Sequence, residues 1–361
     1  MRRKNKKLLI IGAFDFKNMD SGGQLVKTRE LYYLFNEKPY FSKVKYVDTC
    51  NWKRLFFFKV FELLFKILGS NYIIMLPASN GLKLFSKVLP LFKRNRFIFY
   101  SVIGGWLSEV LKKEQIIKKR LMKFDGIFVE TSSMETALKK EGFTNVVVIP
   151  NFKQIDAENL IVKKEFGQLP LKVCTFSRVV KEKGIEDAVN AVISINKEFN
   201  SIVYELDIYG QIDELYKNDF SILMEKTPNY IRYKGLVDTK KSYTVLADYF
   251  ALLFPTKFYT EGIPGTFIDA YYSGLPVITT LWMNSSDIFE EGITGYGYPF
   301  GESDGLKACM IKAYKNKEFF AQMREKCIEK SQMFTRDYAF GLFISFFEKA
   351  INRKANNDRV N

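Results

Sequence analysis

Short apolar runs recur along this chain. Each is followed by a glycine, proline or polar break and then by a stretch with apolar positions at helical spacing. Runs bounded by turn residues predict buried strands, and the periodic stretches predict helices with one face toward a core. In the first half the runs are Lys7–Phe14, Lys43–Asp48, Asn71–Leu76, Arg96–Val102, Gly126–Glu130 and Asn145–Ile149. In the second half they are Lys172–Ser177, Tyr204–Gly210, Ile231–Val237, Phe250–Pro255 and the β-branched start at Val277-Ile278. Helical stretches fall between them at Gln24–Phe35, Ile185–Phe199, Asp213–Lys226 and Ser242–Tyr249, and a last one covers Tyr338–Arg353. Strands alternating with helices predict βαβ units around parallel sheets, an α/β class, and 361 residues suit two such domains. Ligands of such sheets sit beyond the carboxyl ends of the strands. Arg178, Gly210 and Glu261 each follow a predicted strand end, which directs all three to one crevice.

The densest chemistry lies in Glu261–Ile278, which reads EGIPGTFIDAYYSGLPVI. Pro264 suits the start of a helix, and Gly262 and Gly265 let other groups approach the backbone. Gly274 ends that helix and Pro276 forbids its continuation. A helix opening on unpaired N–H groups favours an anion through its donors and its dipole. Asp269 falls one to two turns further in, where its carboxylate meets hydroxyls. The pattern predicts a nucleotide diphosphate at the helix tip. Taken alone, the same string also reads as a capped helix in which Glu261 complements the dipole.

The segment resembles the donor-binding signature of the retaining glycosyltransferases of family 4, within glycosyl transferases group 1, which have the two-domain GT-B fold. Their pattern is a Glu, seven residues, a second Glu, then Ala and a small-Gly-x-Pro-Val-Ile ending; here the second Glu is Asp269, followed by Ala270. The resemblance implies that Asp269 binds ribose hydroxyls, that Glu261 faces the donor sugar, and that Ile263, Gly265 and Thr266 meet the donor, the last two through amides on the diphosphate. Upstream, the strand Lys172–Ser177, Arg178, and Lys183-Gly184 before a helix match the same family, which implies that Arg178 and Lys183 grip the donor phosphates. A planar fork and a mobile point charge suit that task, whereas alone two such residues read as solvated surface. Gly210 is implied to border the donor too. Gly22 and Gly23 resemble the glycine-rich first loop, and Gly104, Gly105 and Trp106 follow another predicted strand on what would be the acceptor side. No G-x-G-x-x-G follows the first strand, so this is not a dinucleotide fingerprint.

By the same resemblance, two Rossmann-like domains face a central cleft. Residues 1–165 form the acceptor-side domain and residues 166–335 the nucleotide-sugar domain, while residues 336–361 form a helix packing back on the first domain. Pro150-Asn151 matches the pair that closes the first domain in the family, though Phe152 stands where Gly is usual, and a linker runs from Asn151 to about Pro170.

Charge divides unevenly. Residues 1–165 hold 31 Lys+Arg against 15 Asp+Glu, or +16, and the remainder holds 55 − 31 = 24 against 40 − 15 = 25, or −1. Such a field attracts polyanions. Asn51–Gly69 (NWKRLFFFKVFELLFKILG) is apolar nearly all round, with Lys59, Glu62 and Lys66 on a narrow stripe. Charges interrupt it too often for a span, but a basic helix rich in Phe and Leu suits a membrane interface. It equally suits a crossover helix burying one face on a sheet. Anionic membrane is the partner expected of the first domain; no nucleic-acid module is present.

The sequence has no histidine, which excludes Ser-His-Asp and Cys-His catalysis and histidine metal ligands. Cys50, Cys174, Cys309 and Cys327 form no C-x-x-C pair, which suits reduced thiols in a cytosol. Met1–Lys7 is basic before an apolar stretch, but that stretch runs into Asp15 without a cleavage pattern, so a first strand is expected rather than a signal peptide. No Asp-x-Asp pair exists to clamp a metal on a sugar nucleotide, so no metal or cofactor is expected. The reading is transfer of a sugar from a UDP- or GDP-linked donor to a lipid-linked or oligosaccharide hydroxyl, in surface glycan synthesis at the inner face of a bacterial membrane. A non-catalytic or activating subunit with this fold stays open beside it, since Asp269 is one methylene short.

Overall fold

A computed structural model describes residues 6–16, 22–50, 56–154, 168–238 and 241–360. Its contacts divide the chain into two units, residues 1–154 with 333–361 and residues 155–332. The first carries β1 (Lys7–Gly12), α1 (Gly23–Glu37), β2 (Lys43–Asp48), α2 (Phe56–Leu68), β3 (Tyr72–Met75), α3 (Ser79–Val88), β4 (Phe97–Ser101), α4 (Leu107–Lys113), α5 (Gln115–Leu121), β5 (Gly126–Val129), α6 (Ser132–Lys140) and β6 (Val146–Val148). The second carries β7 (Leu171–Phe176), α7 (Ile185–Glu198), β8 (Tyr204–Tyr209), α8 (Lys217–Glu225), β9 (Ile231–Gly235), α9 (Ser242–Leu246), β10 (Ala251–Phe254), α10 (Gly265–Tyr272), β11 (Val277–Leu281), β12 (Gly295–Pro299), α11 (Gly305–Lys315) and α12 (Lys317–Ser331). The final helix, α13 (Arg336–Val360), belongs to the first unit.

Each unit is built on a six-stranded sheet, ordered β2-β1-β3-β4-β5-β6 in the first and β12-β11-β10-β7-β8-β9 in the second. Every pairing is parallel. The α/β class with two Rossmann-like sheets is that of the GT-B fold. Parallel strands are buried on both faces, which explains their near-continuous apolar runs. Side chains alternate, so Leu9 and Ile11 of β1 join α2–α6 on one side of the first sheet. Leu8 and Ile10 face the other side with α1 and α13. There Phe35, Phe99, Phe128, Phe343 and Phe347 form an aromatic core with centroids 5.0–6.1 Å apart. At Gly126 a Cβ would run into the Phe346 ring, so the glycine lets α13 seat. Arg336 fixes the near end of that helix on Glu30 at 2.8 Å and Glu37 at 2.7 Å.

Two predicted helices differ. The run Asp213–Lys226 becomes helical only at Lys217, because the Asp213 carboxylate accepts the Leu215 amide at 3.0 Å and holds a turn. The run Ser242–Tyr249 ends at Leu246 and finishes in turns. Within Asn51–Gly69 the described helix starts at Phe56. Ser21, residues 51–55 and most of the expected linker lie outside the described residues. Among the described residues no helix is long and apolar enough to cross a membrane.

Candidate active site

The polar residues singled out in the second half gather at the carboxyl ends of β7, β8 and β10. After β7, a short turn places Lys183 before Gly184, whose φ of +69° lies in the left-handed region. A Cβ at Gly184 would collide with the Pro255 carbonyl, so glycine is what allows this turn to lie against the loop after β10. The Lys257 amide closes the junction on the Glu182 carbonyl at 2.7 Å. Lys183 Nζ then reaches Glu261 Oε2 at 2.7 Å, with both side chains largely buried. It also lies 5.0 Å from the Phe254 ring centroid and 5.2 Å from that of Phe258, a position that suits an ammonium over aromatic faces.

Glu261 is held from two further directions. The Thr256 hydroxyl donates to Oε2 at 3.3 Å, and Asn284 Nδ2 donates to the Glu261 carbonyl at 2.7 Å. Four residues on, Gly265 and Thr266 open α10 behind Pro264, and their amides precede the first helical acceptor. The Thr266 hydroxyl is buried and has no hydrogen-bond partner among the described residues. Ile263 is buried in the same loop, and Asp269 lies buried on the second turn of α10.

Arg178 sits apart from the ion pair. Its guanidinium is exposed, with Asp213 Oδ2 at 3.9 Å, and reaches neither Lys183 nor Glu261 in the described contacts. Gly210 takes φ +137° at the end of β8, and a Cβ there would strike the Ser177 carbonyl. Its backbone thus packs directly on the residue before Arg178, and its immediate demand comes from the chain itself.

In the first unit, Gly22 is the N-cap of α1 and Gly23 its first residue, with open space where a Cβ would stand. Gly104 adopts φ +77° after β4, and Trp106 folds back so that its indole N–H donates to the Ile103 carbonyl at 2.7 Å. The expected acceptor-side loop therefore uses that donor internally. Gly105 is buried beside it.

Residues 156–333 match the family model described as Glycosyl transferases group 1. This part of the chain is a glycosyl transferases group 1 domain. A relative is the UDP-N-acetylglucosamine–peptide N-acetylglucosaminyltransferase GtfA subunit of Streptococcus pneumoniae, 27% identical over 52% of this chain and 35% of the relative. Another is the amylovoran biosynthesis glycosyltransferase AmsK of Erwinia amylovora, 24% identical over 40% of this chain and 36% of that protein. The chain spans about a third of the length of these curated relatives. Sucrose-phosphate synthase from Thermosynechococcus elongatus shares the fold, with a TM-score of 0.76 over 96% of this chain and 100% of that one at 13% identity. The group 1 match covers β7 through α12, hence Arg178, Lys183, Glu261 and α10 together.

Sequence reasoning passed over Thr256 and Asn284, which hold Glu261 from outside any motif. It also missed Lys27 on α1, whose ammonium is buried against Glu130 after β5 and donates to the Val102 carbonyl at 3.1 Å. Lys27 stands in a run (VKTRE) that reads as an ordinary helix surface, so no local signal marked it.

Proposed function

We propose that this chain is a glycosyltransferase that moves a sugar from a UDP- or GDP-linked donor to an acceptor hydroxyl with retention of configuration. The observation carrying this reading is the Lys183–Glu261 pair beside the tip of α10, within the group 1 segment. A diphosphate at the tip meets the Gly265 and Thr266 amides, with Lys183 and Arg178 supplying positive charge as the nucleotide departs. Preorganised charge of this kind stabilises a transition state more than a ground state. Lys183 is kept in place by Glu261 and two rings, so little reorganisation accompanies the reaction. Glu261 faces the donor sugar and Asp269 the ribose. With no histidine in the chain, the departing phosphate oxygen takes the acceptor proton. The acceptor is a lipid-linked or growing oligosaccharide of a capsule, exopolysaccharide or other surface glycan, met at the anionic inner face of the cell membrane.

The test has two arms. A panel of sugar nucleotides is screened for a rise in melting temperature, since a ligand that binds only the native state stabilises it. Turnover of the hit is then compared with that of Arg178→Ala, which should fall about a hundredfold or more, the scale of one lost preorganised donor. Unchanged turnover would remove Arg178 from the chemistry. Donor binding with neither transfer nor donor hydrolysis would favour the non-catalytic subunit instead.

A further inference from the structure

Helix α2 reverses the usual layout of a crossover helix. Its inner face buries Leu63 and Ile67 against the first sheet. The lysines of its polar stripe lean onto β2: Lys59 Nζ donates to the Asp48 carbonyl at 3.2 Å and Lys66 Nζ to the Tyr46 carbonyl at 2.7 Å. What remains outward is apolar, with Phe61 73%, Phe65 75% and Leu68 62% exposed. Leu91, 79% exposed, lies in the short turn Leu89–Asn95 that follows α3. Arg96 draws this turn to the end of α2, with Nε on the Ile67 carbonyl at 3.0 Å and Nη1 on the Phe92 carbonyl at 3.1 Å. Single exposed apolar residues are ordinary, but a contiguous group of large ones marks a contact surface.

Basic residues flank that group on both sides. Lys7 pairs in register with Lys43, and Lys45 is two residues further along β2, so all three project from the sheet face that carries α2. Lys45 Nζ stands 5.7 Å over the Phe65 ring. Arg94 lies on the other flank, three residues after Leu91. Among the described residues, Lys7, Lys43, Lys45 and Arg94 have no carboxylate partner. Burial first, then repulsion from Lys43, Lys7 and Lys66, holds the Lys45 ammonium below the ordinary lysine range. Uncompensated cations around large apolar side chains match a layer that is anionic at its surface and hydrocarbon beneath.

We propose that the outward face of α2, together with Leu91, docks on a membrane leaflet containing anionic lipid. Phe61, Phe65, Leu68 and Leu91 enter the acyl boundary while Lys7, Lys43, Lys45 and Arg94 meet headgroup phosphates. This rests on the reading above, which sets the enzyme at a membrane, and identifies the element that attaches it. A nucleic-acid duplex would satisfy the cations but keeps its bases stacked on each other, so it gains nothing from the exposed rings. A second copy stacked face to face would set the lysines of both copies against each other. Lys7, Leu68 and Leu91 lie toward the amino ends of the first sheet's strands, whereas the Gly104-Gly105 loop follows the carboxyl end of β4.

The experiment is flotation of the full chain with phosphatidylcholine vesicles, with and without phosphatidylglycerol. The parent should float only with the anionic mixture and be released by salt, as expected where screened attraction and apolar insertion act together. Phe61→Ser/Phe65→Ser and, separately, Lys43→Glu/Lys45→Glu should each lower partitioning about tenfold or more. The charge variant keeps the test decisive if the aromatic one fails to fold, since Lys43 is exposed and Lys45 half-buried on an edge strand. A parent that ignores anionic vesicles, or variants that float like the parent, would overturn the proposal. So would a parent dimer that the aromatic variant converts to monomer without any flotation. The donor-induced melting shift, read without vesicles on the same samples, separates the two readings. A parent that shows the shift but does not float sinks only the docking surface, and flotation with no shift for any donor sinks only the transfer reading.

Discussion

Gly210 and Gly184 each make room for a carbonyl oxygen of a neighbouring segment, Ser177 and Pro255 respectively, at φ values of +137° and +69°. No rotamer change relieves a clash between a Cβ and a backbone carbonyl. Gly210→Ala should therefore lower stability by about 2–3 kcal/mol, the cost of strained backbone plus displaced packing. Urea midpoints at unchanged slope would measure it, and a loss below about 0.5 kcal/mol would mean the β8 end moves freely. The Lys183–Glu261 contact rests on the same joint, because Gly184 sets the turn that aims Lys183. At this scale the motif residues were singled out through the family resemblance, and the structure pairs Lys183 with Glu261 while Arg178 stands apart. Their supports were not singled out: Thr256 stands five residues earlier in the same loop and Asn284 beyond β11, and no sequence period links either to Glu261. Lys27 and Glu130 lie on different elements and meet only through the sheet.

Among the elements, α12 owes its position to one buried cation. Arg324 donates to the carbonyls of Tyr249 at 2.9 Å, Ala247 at 3.0 Å and Ser273 at 3.4 Å, so it closes the ends of both α9 and α10. A cation there also suits the negative ends of two helix dipoles. Desolvation by burial pulls its pKa down to about 10. Arg324→Met keeps most of the volume but strands those carbonyls, and should cost about 3 kcal/mol in denaturant unfolding. A neutral substitution would show that water replaces the guanidinium there. The strands of both sheets were readable because parallel strands are apolar on both faces. The edge strand β12 (GYGYP) was not read, since its glycines and proline resemble a loop. Its Gly295 instead allows close approach to the Val277 carbonyl. Helix starts were misplaced where a side chain competed with the backbone, as Asp213 does.

For the molecule as a whole, charge and thiols are informative. The excess of +16 in residues 1–165 includes the lysines beside α2, whereas the segment bearing the candidate site is nearly neutral. All four cysteines are free. Burial, then the Asp48 charge, pushes the Cys50 thiol up to about 11. Burial likewise pushes Cys309 up to about 11 and Cys174 well above the ordinary range. At pH 8 the Cys50 thiolate is then about one part in a thousand, and the thiolate is the reactive form. The native protein should react slowly with a thiol reagent at pH 8, with Cys50 accelerating toward pH 10. Cys174 and Cys327 should label only after unfolding. Rapid labelling of either in the native state would mean that its unit opens locally.

The aromatic side of the first sheet is completed by α13, whose residues are synthesised only after the whole of the second unit. Throughout synthesis of everything between β6 and α13, the rings of Tyr72, Phe99 and Phe128 wait for their cover. The first unit thus completes its core only after the second unit has been made, and a chain truncated before Arg336 would leave these rings bare.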